Sequence, residues 1–137
     1  MTTRGRTSAH MDPNEIYRIL FDSLPKDRAY ARVLDWGTGH GAGLLTWGAD
    51  HPTSELYGVD LSGPCLKLAN HRAREAGLSV HLNQADIAAL PYPDDHFDLI
   101  FFVFLLHEIP PGPMPKIYAE ALRVQLLRVG VWGWGGG

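Results

Sequence analysis

The stretch Val33-Leu34-Asp35-Trp36-Gly37-Thr38-Gly39-His40-Gly41 decides the fold of this chain. Arg32 to Trp36 reads as a short buried strand, and the glycines at 37, 39, 41 and 43 end it. Residues 41–49 then read as a helix opening on the glycine loop. Glycine lets the backbone take positive φ and approach a ligand closely, and a helix N-terminus offers N–H donors where a carboxylate is favoured. Downstream, Gly58-Val59-Asp60 closes a second strand, Glu55 to Asp60, and sets an acid 23 positions beyond Gly37. That spacing suits a carboxylate that accepts from both hydroxyls of a ribose.

Working outward, the same alternation continues. Asp12-Pro13-Asn14-Glu15 is a helix start, with Asp12 as cap, Pro13 at the first helical position and Glu15 placed to reach back. Ile16, Tyr17, Leu20, Phe21 and Leu24 form its stripe, which Pro25 stops. Ser62 caps a third helix through Ala76, with Cys65, Ala69, Ala73 and Ala76 on one face and Gly77 beyond its end. Leu78 to Gln84 is a third strand, Phe97 to Phe104 an apolar fourth, and Ile117, Tyr118, Ala121 and Leu122 mark a last helix. This order predicts an α/β fold, a Rossmann-like doubly wound parallel sheet with right-handed crossovers. Residues 1–10 read as a loose polar tail, 11–128 as the domain, and 129–137 as a Gly/Trp-rich terminus holding at most one short strand.

Composition excludes several classes. The chain has 137 residues, 45% hydrophobic and 20% charged, enough for one domain with a core. A net charge of −3 argues against a nucleic-acid partner. The longest apolar run, Leu99 to Leu106, is far too short to span a membrane, and no apolar stretch follows the arginines near the N-terminus. The single cysteine, Cys65, excludes a disulfide framework and suits a reducing, cytoplasmic setting. Seven histidines show no ligand spacing, so no metal site is expected.

Two cofactor classes fit the glycine loop. Gly37, Gly39 and Ala42 match G-x-G-x-x-A, which suits a nicotinamide dinucleotide. A charged Asp35 near the tip of the first strand is unusual for that class. A third acid, Asp86, follows the third strand, where it can accept from the exocyclic amine of an adenine while the Ile87 N–H serves a ring nitrogen.

Together these motifs resemble the class I S-adenosylmethionine-dependent methyltransferases. That family's D-x-G-x-G-x-G stands as Asp35 to Gly41, and its ribose acid as Asp60 followed by Leu61-Ser62. Its D-x-x-x-L-P-F stands as Asp86 to Tyr92, and its D-x-x-F-D as Asp94 to Asp98. Leu106-His107 is similar to the family's L-H-H, and Glu120 to Val124 to the helix leading into its fifth strand. The likeness covers roughly residues 30–124, nearest to the small-molecule methyltransferases. It implies S-adenosylmethionine as cofactor, a small-molecule acceptor, and cofactor contacts from Asp35, Gly37, Thr38, Gly39, Asp60, Leu61, Asp86, Ile87 and Val103. After Val124 the sequence leaves the pattern. Gln125 to Gly130 replaces the family's L-K-P-G-G turn, so the sheet is expected to be incomplete on its C-terminal side.

Other residues divide between functional and structural roles. His107, just past the fourth strand, is either a packed histidine or a general base near neutral pH. Asp98 is expected to be structural, capping the start of the fourth strand, and Cys65 to belong to the core of the third helix. Methyl transfer from a sulfonium is an in-line displacement, so such an enzyme needs alignment and dryness more than a fixed triad. The Asp12–Leu24 helix would cover the donor, with Tyr17 and Phe21 as lining. Only Val129–Trp132 is available to flank the fourth strand on its far side, which leaves that strand near an open edge and implies self-association. Three readings follow: a methyltransferase, a nucleotide-binding module without catalysis, and a nicotinamide-dependent oxidoreductase.

Overall fold

The computed structural model of the chain describes residues 12–103, 112–125 and 132–134. Among the described residues nine elements follow one another: α1 (Pro13–Asp22), β1 (Arg32–Trp36), α2 (Ala42–Asp50), β2 (Glu55–Asp60), α3 (Gly63–Glu75), β3 (Val80–Gln84), β4 (Leu99–Val103), α4 (Met114–Val124) and β5 (Trp132–Trp134). The strands form one sheet in the order β3-β2-β1-β4-β5, and every pairing is parallel. The chain steps outward from β1 to β3 on one side and then returns to place β4 on the other side of β1. Strand order therefore reverses at β1, and the carboxyl ends of β1 and β4 flank the crevice where α/β folds bind ligands.

Alternation along each strand makes two cores. Val33, Leu99 and Phe101 face one layer with Tyr17 and Phe21 of α1, Leu24 just after it, and Leu44 and Trp47 of α2. Leu34, Trp36, Ile100 and Phe102 face the other, with Ile117, Ala121 and Val124 of α4. Both faces of the sheet are covered, which is why these strands carry continuous apolar runs. Aromatic edges lock the first layer: Phe21 meets Trp47 at 5.0 Å and Phe101 at 4.9 Å between ring centroids.

The helix starts hold as expected, and their ends and faces refine the sequence reading. Asp12 accepts from the Asn14 N–H at 3.0 Å, and Ser62 accepts from the Cys65 N–H at 3.3 Å. α1 ends at Asp22, where the Ser23 N–H closes onto Ile19 and Leu20, before Pro25 is reached. On α3 the inner face is Leu66, Ala69 and Ala73, spaced three and four apart. Cys65 is only partly buried and Ala76 is exposed. On α4 Ile117, Ala121 and Val124 turn inward and leave Tyr118 and Leu122 exposed. A one-residue rotation of about 100° separates the two stripes, and the packing surface selects the one with the smaller Ala121 at its centre.

Asp98 has its expected structural role. Its Oδ2 accepts the N–H groups of Ala31 at 2.7 Å and Arg32 at 2.9 Å, tying the start of β1 to the start of β4. β4 begins at Leu99; Phe97 makes an isolated bridge to Gln125 instead. The fifth strand lies at Trp132–Trp134, displaced from the expected Val129–Trp132, with Phe101 opposite Trp132. β4 thus has a neighbour on each edge, and the outermost position passes to β5. Residues 1–11 and His107 lie outside the described residues, as do 126–131.

Candidate functional site

Three left-handed glycines shape the loop after β1: Gly37 at φ 82°, Gly39 at φ 52° and Gly41 at φ 83°. A side chain is strained at each. The bend lets both Gly37 and Thr38 donate to the Val59 carbonyl at 2.9 Å, and Gly41 donate to the Thr38 carbonyl at 2.9 Å. Gly39 donates to Asp60 Oδ2 at 2.8 Å, while Asp60 Oδ1 accepts the Ser62 N–H at 2.9 Å. The loop is thus held by its own fold. Its N–H groups at 37, 38, 39 and 41 are spent on protein acceptors. The first turn of α2 differs, because its cap, Gly41, supplies no side-chain acceptor.

Asp35 lies beneath this loop, 1% exposed, with Thr38 Oγ1 donating to its Oδ2 at 2.9 Å. Burial pushes its carboxyl up to about 7, opposed by the Thr38 bond and reinforced by the charge of Asp60. Burial and the nearby Asp35 also push the Tyr17 phenol above its ordinary value. Gly43 leaves room for this group: a Cβ there would meet Phe101 at 2.6 Å, Tyr17 at 2.7 Å and Asp35 Oδ2 at 3.0 Å.

A cleft of about 500 Å³ opens over the loop, lined by Gly37, Thr38, Gly39 and His40 on its floor and by Asp12, Asn14 and Tyr17 of the α1 side. Cys65 and Arg72 of α3 complete it, and Arg72 Nη1 donates to the His40 carbonyl at 3.1 Å. The α1 side thus lines the same cleft as the glycine loop through Asp12, Asn14 and Tyr17, whereas Phe21, expected as lining, is committed to the core. A second cavity, of about 360 Å³ and lined in part by Leu24, Trp47 and His51, lies among loops at the strands' amino ends, remote from these acids.

Asp86 follows β3 at the same edge, exposed, and its Oδ1 accepts the Ala88 N–H at 2.8 Å, so the turn presents the carboxylate. Leu61 is 66% exposed beside it in the sheet order, and its carbonyl accepts from Gln84 Nε2 at 2.8 Å. Ile87 is half-buried against the α4 layer, and the backbone of Val103 closes β4 opposite Trp134. The structure therefore gathers Gly37, Thr38, Gly39, Asp60, Leu61, Asp86, Ile87 and Val103 at one sheet edge, with Asp35 under its floor. Sequence reasoning missed Arg72, whose signal was only its place on α3. It also missed the grip of α4 on the segment after Asp86, signalled by Glu120 and Arg123 one helical turn apart. Among the described residues no cluster of three His, Cys, Asp or Glu could hold a metal ion, and no helix is long and apolar enough to cross a membrane.

Comparison with known proteins agrees with this geometry. The family described as "Methyltransferase domain" matches residues 33–126, and the chain belongs to it. It is 37% identical over 109 residues to a demethylmenaquinone methyltransferase of Thermus thermophilus, covering 76% of this chain and 50% of the relative. It is 36% identical over 98 residues to the uncharacterized methyltransferase YcgJ of Bacillus subtilis, covering 71% of this chain and 37% of that one. The crystal structure of YcgJ superposes with a TM-score of 0.66 at 30% identity, over 81% of this chain and 44% of that one. The [4+2]-cyclase SpnF superposes at 0.73 and 29% identity, over 82% and 40%. The chain spans half or less of the length of these relatives.

Proposed function

We infer that this chain binds S-adenosylmethionine, the cofactor of its family, and serves methyl transfer to a small-molecule acceptor. The observation that carries the reading is the Gly39–Asp60 pair: a left-handed glycine whose added Cβ would project into open space, braced by the acid at the end of β2. A cradle that a side chain would fill, with acids at the ends of β2 and β3, fits an adenosyl group. Both Asp60 oxygens already accept backbone N–H groups, so ribose hydroxyls would use the remaining lone pairs of an acid that is fixed in place.

When bound, the cofactor supplies the activated methyl and its leaving group. The chain's residues then bind and align. Gly37 and Gly39 form the floor, Asp60 takes the ribose, Asp86 and the Ile87 N–H take the adenine edge, Leu61 flanks the base, and Val103 is a further cofactor contact. Asp35 acts through Thr38, holding the loop from below. Tyr17 closes the cleft from α1 and keeps water out. His107 is the candidate base where an acceptor must lose a proton. The quinone-pathway name of the Thermus thermophilus relative favours an aromatic small molecule as acceptor.

A second reading, a binding module without this chemistry, draws on the likeness to a protein named as a cyclase, since fold alone does not fix reaction. Calorimetry with S-adenosylhomocysteine and NAD, followed by a methyl-transfer assay on quinone precursors, separates the readings. Tighter binding of S-adenosylhomocysteine than of NAD is expected, and the reverse order overturns the assignment.

A further inference from the structure

Between β3 and β4 the chain runs through residues 85–98 without a helix or a ladder strand, so something else must fix its path. The far half is fixed by backbone bonds to the end of α4, by the buried Phe97 and by the Asp98 staple to β1. The last carbonyls of α4 would be orphans, and Arg123 O accepts the Asp95 N–H while Val124 O accepts those of His96 and Phe97. The near half is held by two side chains of α4. Arg123 Nη1 donates to Tyr92 O and to Asp94 Oδ1, both at 2.8 Å, and Nη2 donates to Leu90 O at 3.1 Å. Glu120 receives Arg123 Nε at 2.7 Å on Oε1 and Nη2 at 2.9 Å on Oε2, and Oε2 also accepts the Leu90 N–H at 2.8 Å. Both polar atoms of the Leu90 backbone are therefore gripped by one ion pair, while the Leu90 side chain is buried.

We propose that Arg123 and Glu120 are positioning residues for adenine recognition: by fixing Leu90 they set the direction of the Asp86 carboxylate and the Ile87 N–H. The near end of the turn between is tied to β2 by the Ala85 N–H on Asp60 O at 3.2 Å, Ile87 and Ala88 pack against the α4 layer, and the ion pair on Leu90 fixes its far end. Its internal bonds run from the Ala88 N–H to Asp86 Oδ1 and from the Ala89 N–H to Asp86 O, and Leu90 is the next residue. A planar fork is needed, because a lysine ammonium cannot reach two carbonyls and two carboxylates at once. The inference rests on the reading of Asp86 and Ile87 as adenine contacts.

The test compares S-adenosylhomocysteine with S-inosylhomocysteine, which carries a carbonyl in place of the exocyclic amine, by calorimetry on the full chain. Wild type should prefer the adenine form. Arg123→Met should weaken S-adenosylhomocysteine about tenfold, the equivalent of one hydrogen bond, and hardly change the inosine form, so that the preference collapses. Arg123→Lys should restore little of it. Glu120→Gln is the milder change should Arg123→Met fold poorly, and it should speed amide exchange at Leu90 while the melting transition persists. If wild type discriminates and folded Arg123→Met or Glu120→Gln discriminates equally well, the positioning role is overturned and the adenine reading stands. If wild type holds both ligands equally, the reading of Asp86 fails and the proposal falls with it.

Discussion

Asp60 Oδ2 accepts the Gly39 N–H at 2.8 Å, so the acid that ends β2 and the left-handed glycine after β1 hold each other before any ligand arrives. Its other oxygen caps Ser62 at the start of α3, which makes one carboxylate the meeting point of two strand ends and a helix.

Asp60→Ala should weaken S-adenosylhomocysteine by about 1.5–3 kcal/mol, the range for hydrogen bonds to a charged group. Asp60→Asn should not rescue it, since an amide turns a donor toward either Gly39 or Ser62. Calorimetry on folded variants decides, and unchanged affinity in Asp60→Ala counts against the ribose role.

Gly39 and Gly43 should respond in opposite ways. Gly39→Val places a β-branched residue at φ 52° over open space, so binding should be abolished with a stability loss of only about 1–2 kcal/mol. Gly43→Ala drives a methyl into Phe101 and Tyr17 and should lower the melting temperature, by about 1–3 kcal/mol of overpacking, while binding persists in the folded protein. Normal binding by Gly39→Val would mean that the loop is only a turn.

Asp35 sets a pH dependence. Its carboxyl titrates near 3.8 in the unfolded chain and near 7 when buried, so between those values the native state holds the extra proton. This group's contribution is complete below about 3.8 and is lost as pH rises through about 7. Asp35→Asn should abolish that loss and melt above wild type at pH 8, with the gap closing toward pH 4. A gap independent of pH refutes the buried-acid account.

The outer edge of β5 pairs with nothing among the described residues. The 137-residue chain is expected to self-associate with rising concentration through that edge, as sedimentation would show. A monodisperse monomer with a sharp, high melting transition is the contrary result.

The parts of this fold written in local signals were legible in sequence. Asp12 and Ser62 named their helix starts, Glu55 to Asp60 its strand, and the glycine spacing its loop, because each depends on neighbours in the chain. Faces depended on what lay opposite. Nothing local tells Ile117 and Ala121 from Tyr118 and Leu122; only the β4 surface does. The site followed the same division. Asp60 and Asp86 were visible as strand-end acids, but the spending of the loop's N–H groups on Val59 and Asp60 is a tertiary fact. The burial of Asp35 followed from its place in a strand read as buried, but its bond from Thr38 Oγ1 is a fact of the folded loop. Arg123 looked like an ordinary helix-end cation because its partners, Leu90 and Tyr92, lie across a loop.

The placement of β1 also governs how the chain is made. During synthesis β1, β2 and β3 emerge in order and can pair as each appears, but β1 keeps one edge bare until β4 follows. Asp98, which staples that second side, is 66 positions beyond Arg32. For that interval the most apolar edge of the nascent sheet is open to wrong partners, and closing so long a loop is slow compared with local pairing. Translation rate and chaperone supply over residues 60–100 should therefore govern the yield of folded protein more than any substitution on the finished surface.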